Sequence, residues 1–245
     1  MGIITAVWEK MTEMRHEWIK VTLSAIISPL LYMIAFGWGL GMNIKIDGIS
    51  YMQFIVPGII SLTTMNVGFS STSTYLNMQK MFEHSLDQVL VSPTPIWQYV
   101  LGQTIGGALR GVYSGAIIIV ISIIFKVGLV INPLIFVIIM LNSMIFSAFG
   151  IMAAMISKTH QDVARFSTFV ILPMTFLCNT FFSLDKLPLW VEYLIRFLPI
   201  THASESLRAI SCGNFNIGIN IIVMLIYLFI MYFIACRCVY KVRNI

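Results

Sequence analysis

Five hydrogen-bonding side chains recur at helical spacing through one uncharged stretch: Thr63, Asn66, Ser70, Ser73 and Asn77. Their spacing of three, four, three and four places all of them on one face of a helix. A shorter series, Thr175, Asn179 and Ser183, recurs every four residues far downstream. Hydroxyls and amides arranged this way can solvate a polar group in a lipid-like interior, and Asn66 and Asn179 carry most weight because an asparagine amide is not expected to satisfy itself on its own helix. A lone cation, Arg110, stands in the middle of another apolar run, where it costs at least about 2.5 kcal/mol unless relieved. Covalent chemistry finds no foothold: GxxxxGK[ST], HExxH and GxSxG are all absent. His16, His84, His160 and His202 each fall near the edge of an apolar run, where surface histidines belong. Cys178, Cys212, Cys236 and Cys238 form no ligand quartet. The chain is expected to be no enzyme and to hold no cofactor or metal of its own.

The elements that position these residues follow from composition. Of 245 residues, 58% are hydrophobic and only 10% charged, and the mean hydropathy is +0.90. So few charges cannot cover a soluble surface, and the continuous apolar runs exclude an alternating β-barrel pattern. The expected fold is an all-α polytopic membrane protein, one domain over residues 1–245, with six transmembrane helices. The spans are expected near Val21–Met42, Met52–Tyr75, Ile96–Phe125, Val130–Ile156, Phe166–Phe182 and Phe215–Cys236. Pro29 is expected to kink the first. The third carries a ladder of small residues, Gly102, Gly106, Gly107, Gly111 and Gly115, that lets another helix approach. Residues 1–20 read as an amphipathic helix in the headgroup layer, with Ile4, Val7, Trp8, Met11 and Trp18 on one face and Glu9, Lys10 and Glu13 on the other. Residues 79–95 form a short amphipathic helix ended by Ser92-Pro93-Thr94-Pro95. Residues 183–214, broken by Pro188 and Pro199, suit a re-entrant helical hairpin that gates one side of the membrane, with Arg208 pairing to Glu205 or Glu192 or reaching towards Arg110 through an acid.

With an even number of spans both termini share a side. Placing them in the cytosol puts nine lysines and arginines inside and five outside, which the positive-inside rule favours. The net charge of +5 has no dense basic patch, so it suits an anionic membrane surface and not nucleic acid. With cytosolic termini, Asn66 lies roughly 21 Å into its span, so its polar stripe covers the inner half of the bilayer and the 175–183 stripe the outer half.

Three motifs carry a resemblance. Tyr51-Met52-Gln53-Phe54-Ile55-Val56-Pro57-Gly58-Ile59 resembles a YxxFxxPGI opening of a second span. Ser85-Leu86-Asp87-Gln88-Val89-Leu90-Val91-Ser92-Pro93 resembles a cytosolic leucine–acid–x–leucine–leucine segment closed by proline. Pro199-Ile200-Thr201-His202, with Arg208 after five intervening residues, resembles an element that follows a fifth span. Together with the six-span layout, these resemble the permease subunits of ABC type-2 exporters, in the branch of nodulation-factor and daunorubicin-type exporters. The resemblance implies a half-transporter in the cell membrane: a homodimer of six-span chains with two copies of a separate ATPase subunit, which binds the ATP and Mg. It implies that residues 79–95 dock on that ATPase, with Glu83, Leu86, Asp87, Leu90 and Pro93 as contacts. The path would use Thr63, Asn66, Ser70, Ser73, Asn77, Arg110, Thr175 and Asn179; the gate would use Pro188, Pro199, His202 and Arg208. The cargo class left open is amphipathic, lipid-linked or drug-like. A stand-alone secondary transporter or channel is the alternative.

Overall fold

A helix that must cross lipid needs every backbone group paired internally and one face packed on its neighbours. The computed structural model shows how this chain meets that demand; it describes residues 2–35, 45–46, 49–83, 85–177, 180 and 188–243. Helix α3 (Tyr51–Met78) is the centre of the bundle, with 72% of its apolar window buried against 11% for α11 (Gly218–Arg243). Ser50 caps α3 in a capping box, its hydroxyl taking the Gln53 N–H while the Gln53 side chain reaches back. Ahead of it stand α1 (Gly2–His16), α2 (Trp18–Tyr32) and a two-residue antiparallel ladder, Lys45–Ile46 with Ile49–Ser50. Pro29 lies within α2, buried and without ending it.

Helices α5 (Ile96–Ile124) and α6 (Leu134–Ile156) close on α3 through contacts that only small residues allow. A Cβ on Gly107 would lie 2.7 Å from Thr72 Cγ2, and one on Gly150 would lie 2.5 Å from the Phe69 carbonyl. Ile59, Met65, Ile118, Ile138, Ile139 and Phe146 fill the space between. The glycine ladder serves three neighbours. Gly107, Gly111 and Gly115 face α3 and α6, whereas Gly102 and Gly106 receive α1.

Among the described residues, five helices are long and apolar enough to cross a membrane: α2 extended to Ala35, α3 with the wide turn that follows, α5, α6 and α11. The fifth expected span, Phe166–Phe182, is not among these five; its described part belongs to a helical run that begins earlier, at His160. Thr159 and Asp162 cap α7 (His160–Phe166), which runs through a wide turn at Ser167–Ile171 into α8 (Leu172–Leu177). Asn179 and Ser183 lie outside the described residues. The last helix is longer than expected, so Arg237, Lys241 and Arg243 sit on its final turns and not on a tail.

Both ends of the bundle are identifiable. Gly2 lies against Thr94, Lys80 Nζ donates to the Met155 and Ser157 carbonyls at 2.9 Å, and Val239 packs in one cluster with Leu86. The N-terminal helix, residues 79–95 and the last turns of α11 therefore share one end. At the other, Gln53 Nε2 donates to the Gly128 carbonyl and Val130 N–H to the Ser211 carbonyl, each at 3.4 Å. Near that second end, α9 (Leu189–Arg196) and α10 (Pro199–Ser211) form a helical hairpin. Its turn reaches Tyr227, whose hydroxyl donates to the Phe197 carbonyl. Tyr227 is roughly 13 Å along α11 from Gly218, so the turn lies that far along the outside of the bundle from this end. Helix α10 is largely buried, while Leu189, Trp190 and Tyr193 of α9, and Phe197 just after it, are exposed.

The N-terminal helix departs from expectation. Its apolar face is indeed the exposed one, with Ile4 and Trp8 more than 70% exposed. Its polar face is turned into the protein, because α1 runs alongside the first half of α5: Ile3 and Ala6 pack on Gly102, and Lys10 packs on Gly106.

Candidate functional site

Where α1, α3 and α5 meet, polar side chains are buried and paired. Lys10 is 4% exposed; its ammonium donates to Glu13 at 3.1 Å and to the Ser71 carbonyl at 2.9 Å, and lies 3.0 Å from the centre of the Tyr75 ring. Burial pushes Lys10 down to about 8, and the Glu13 carboxylate opposes that fall. Glu9 accepts from the Tyr75 hydroxyl, from Gln79 Nε2 at 2.7 Å and from Gln103 Nε2 at 3.4 Å. Arg110 is not alone in its span: Nη1 meets Glu13 Oε1 at 3.1 Å. The acid that relieves it comes from α1 and not from another span.

Glu13 and Arg110 also line a pocket of about 310 Å³ with Glu17, Ser24, Ser70 and Thr74. A second pocket of about 340 Å³ adjoins it along α2 and α3, sharing Ser24 and Val67. Its polar lining is Ser28 of α2, Thr63 and Asn66 of α3, and Ser167, Thr168 and Thr175 of the α7–α8 run. The two make one groove, charged near the end that carries residues 79–95 and lined by uncharged polar groups towards the other.

The structure thus brings together Thr63, Asn66, Ser70, Arg110 and Thr175 of the expected path. It separates Ser73 and Asn77 from them. Both are fully buried, and Asn77 Oδ1 contacts His160 Nδ1 at 3.2 Å, where the start of α7 crosses α3. Helical phase does not decide this, because all five share a face; the neighbour covering one end of the face does. Asn66 also corrects its expectation: its amide donates to the Leu62 carbonyl at 2.9 Å on its own helix.

The expected ATPase contacts fare unevenly. Residues 79–83 continue α3 as a wide turn, and α4 (Ser85–Val91) follows. Leu86 is fully buried among Leu76, Tyr99, Val100 and Ile151 of its own chain, so it cannot also fill a groove on a partner. Pro93 is exposed, as are Phe82 and Val91, the latter at 84%. The side chains of Glu83, Asp87 and Leu90 lie outside the described residues.

In the hairpin, exposed Pro188 precedes α9 and buried Pro199 opens α10. His202 is held on both ring nitrogens, by Asn220 Oδ1 and the Arg196 carbonyl, each at 3.0 Å. Arg208 lies 3.7 Å over the Phe54 ring and donates to the Phe54 carbonyl at 3.3 Å. It thus ties α10 to the start of α3, far from Arg110, while Glu192 is taken by Arg196 at 2.8 Å.

Sequence reasoning missed Glu9, Lys10, Glu13, Tyr75, Gln79 and Gln103 as a site. A signal was present: Gly102, Gly106 and Arg110 are spaced four and four, and Ala6, Lys10 and Glu13 four and three, so the two stripes match when the helices run side by side.

The fold and groove define a multi-pass α-helical membrane transport protein. Residues 1–211 match the ABC-2 type transporter family, and the chain belongs to it. It is 30% identical over 209 residues to the inner membrane transport permease YadH of Escherichia coli K12, covering 84% of this chain and 81% of that one. It is 25% identical over 228 residues to nodulation protein J of Rhizobium meliloti, covering 89% and 86%. Against nodulation protein J of Bradyrhizobium diazoefficiens, identity is 21% over 237 residues, covering 94% and 89%. The chain is therefore the membrane permease subunit of an ABC transporter, a family that works with an ATPase subunit.

Proposed function

We propose that the groove between α2, α3 and the α7–α8 run carries an amphipathic, lipid-linked or drug-like cargo out of the cytosol, driven by a separate ATPase that docks on residues 79–95. The continuous polar groove carries this reading, because its charged end lies towards the ATPase segment. The chain would work as a homodimer with two ATPase copies and cytosolic termini. Leu23, Ile27 and Leu31, each more than half exposed at four-residue spacing on α2, offer the second copy a face beside the groove. The α9–α10 hairpin would be the external gate, re-entering the bilayer at the level of Tyr227. Hydrolysis by the co-purified complex, stimulated by a panel of cargoes, tests this. Asn66→Leu and Thr175→Val should weaken or redirect stimulation while the complex assembles normally. Wild-type stimulation in both variants would move the route elsewhere.

A further inference from the structure

A separate cavity of about 390 Å³ opens between the first turn of α5 and the last turns of α11. Trp97, Phe233 and Tyr240 wall it, each more than half exposed, and Arg237 and Arg243 line its mouth. The walls are tied together: the Tyr232 hydroxyl donates to the Trp97 carbonyl at 2.7 Å. The Arg237 guanidinium lies 5.0 Å from the centre of the Phe233 ring. Among the described residues, neither arginine carries an ion pair, nor does Lys241 beside them. The first turn of α5 brings Ile96 and Trp97 to the same cavity and has no side-chain cap to offset its partial positive charge.

We propose that this cavity binds the headgroup of an anionic phospholipid, with an acyl chain lying along α11. Unpaired guanidinium forks match a phosphodiester in charge and geometry. A soluble phosphate would leave the aromatic walls unused. A lipid would cover them and continue over Phe229, Ile226 and Ile222, which are exposed along the same helix. Trp and Tyr at this level are the residues expected at a lipid–water boundary. The site stands apart from the cargo groove and does not rest on the transport reading.

The test uses the full chain with Trp97 as sole tryptophan, the other four replaced by Phe, in nanodiscs doped with brominated lipid. Brominated phosphatidylglycerol should quench Trp97 more strongly than brominated phosphatidylcholine at equal fraction. Each arginine should contribute roughly a fivefold preference, so Arg237→Gln with Arg243→Gln should lose roughly 25-fold. Lys241→Gln, outside the cavity, should lose much less; equal losses would mean diffuse attraction and no site. Equal quenching by the two lipids in the parent would overturn the proposal. So would an unchanged preference in the double variant, including one that instead releases a co-purified ATPase. Should the double variant misfold, Arg237→Lys with Arg243→Lys keeps the charge and removes the forks: the preference should fall, and an unchanged preference in that folded protein would overturn the match of forks to phosphodiester.

Discussion

Glu13→Gln is the sharpest probe of how α1 is held. In the native protein one carboxylate separates two cations, with Lys10 Nζ and Arg110 Nη1 each at 3.1 Å. Removing its charge leaves those cations roughly 6 Å apart, and at an effective dielectric of about 20 they repel by about 3 kcal/mol. The Glu13 and Arg110 side chains are 23% and 19% exposed, so water in the groove screens part of this. A net loss of about 2 kcal/mol is expected, or about 4–8 °C in melting temperature. Arg110→Gln should cost less, because Glu13 keeps Lys10. The double variant restores the balance of charge and should be more stable than Glu13→Gln alone, with a coupling of about 1–2 kcal/mol. Melting curves of the four purified proteins in one detergent supply the cycle. Additivity within about 0.5 kcal/mol, or a Glu13→Gln protein as stable as wild type, would refute the pairing.

Lys10 itself gives a pH signature. Burial lowers it from 10.5 to about 8, so between those values the folded protein binds fewer protons than the unfolded one. Stability from this residue must therefore rise with pH across that window, and Lys10→Met should flatten the slope in melts at pH 8, 9 and 10. Leu86→Ala should lower stability by about 2–5 kcal/mol, because it empties a packed site. Phe82→Ser and Val91→Ser, on the exposed side of the same segment, should release the ATPase with melting temperature unchanged; co-purification at wild-type stoichiometry would place the contact elsewhere. Orientation can be read from thiols. In a chain keeping only Cys212 of its native cysteines, an impermeant maleimide should label Cys212 from outside and fail to label a cysteine substituted for Lys158; the reverse would invert the topology.

The spans were legible because their signal is additive over some twenty residues, as in α3, α5 and α6, whose ends differ from expectation by only a few positions. The starts of α9 and α10 were legible because Pro188 and Pro199 act locally on the backbone whatever surrounds them. The site was legible only in part. Thr63 and Asn66 open on the groove while Asn77, on the same face, is covered by α7, and helical periodicity carries no information about which neighbour crosses a face. Leu86 shows the same limit. Its place on an apolar stripe says that it will be buried, and not whether the burying surface belongs to its own chain or a partner's.

The inversion of α1 has a more general cause. For a helix on a soluble protein, water takes the polar face and the core takes the apolar one. Beside a span, the outside is lipid, and a polar face is better satisfied against other polar groups in the protein. The α1 sequence is amphipathic under either rule, so its pattern alone cannot choose. The partner helix chooses. Gly102 and Gly106 remove the side chains that would hold α1 away, and they bring Lys10 and Glu13 to the level of Ser71 and Arg110. An arginine in a span needs relief, and Glu13 reaches Arg110 along that glycine track. The exposed indole of Trp8 and side chain of Met11 then follow as a consequence, since they occupy the face left to lipid once the charged face has been drawn inward.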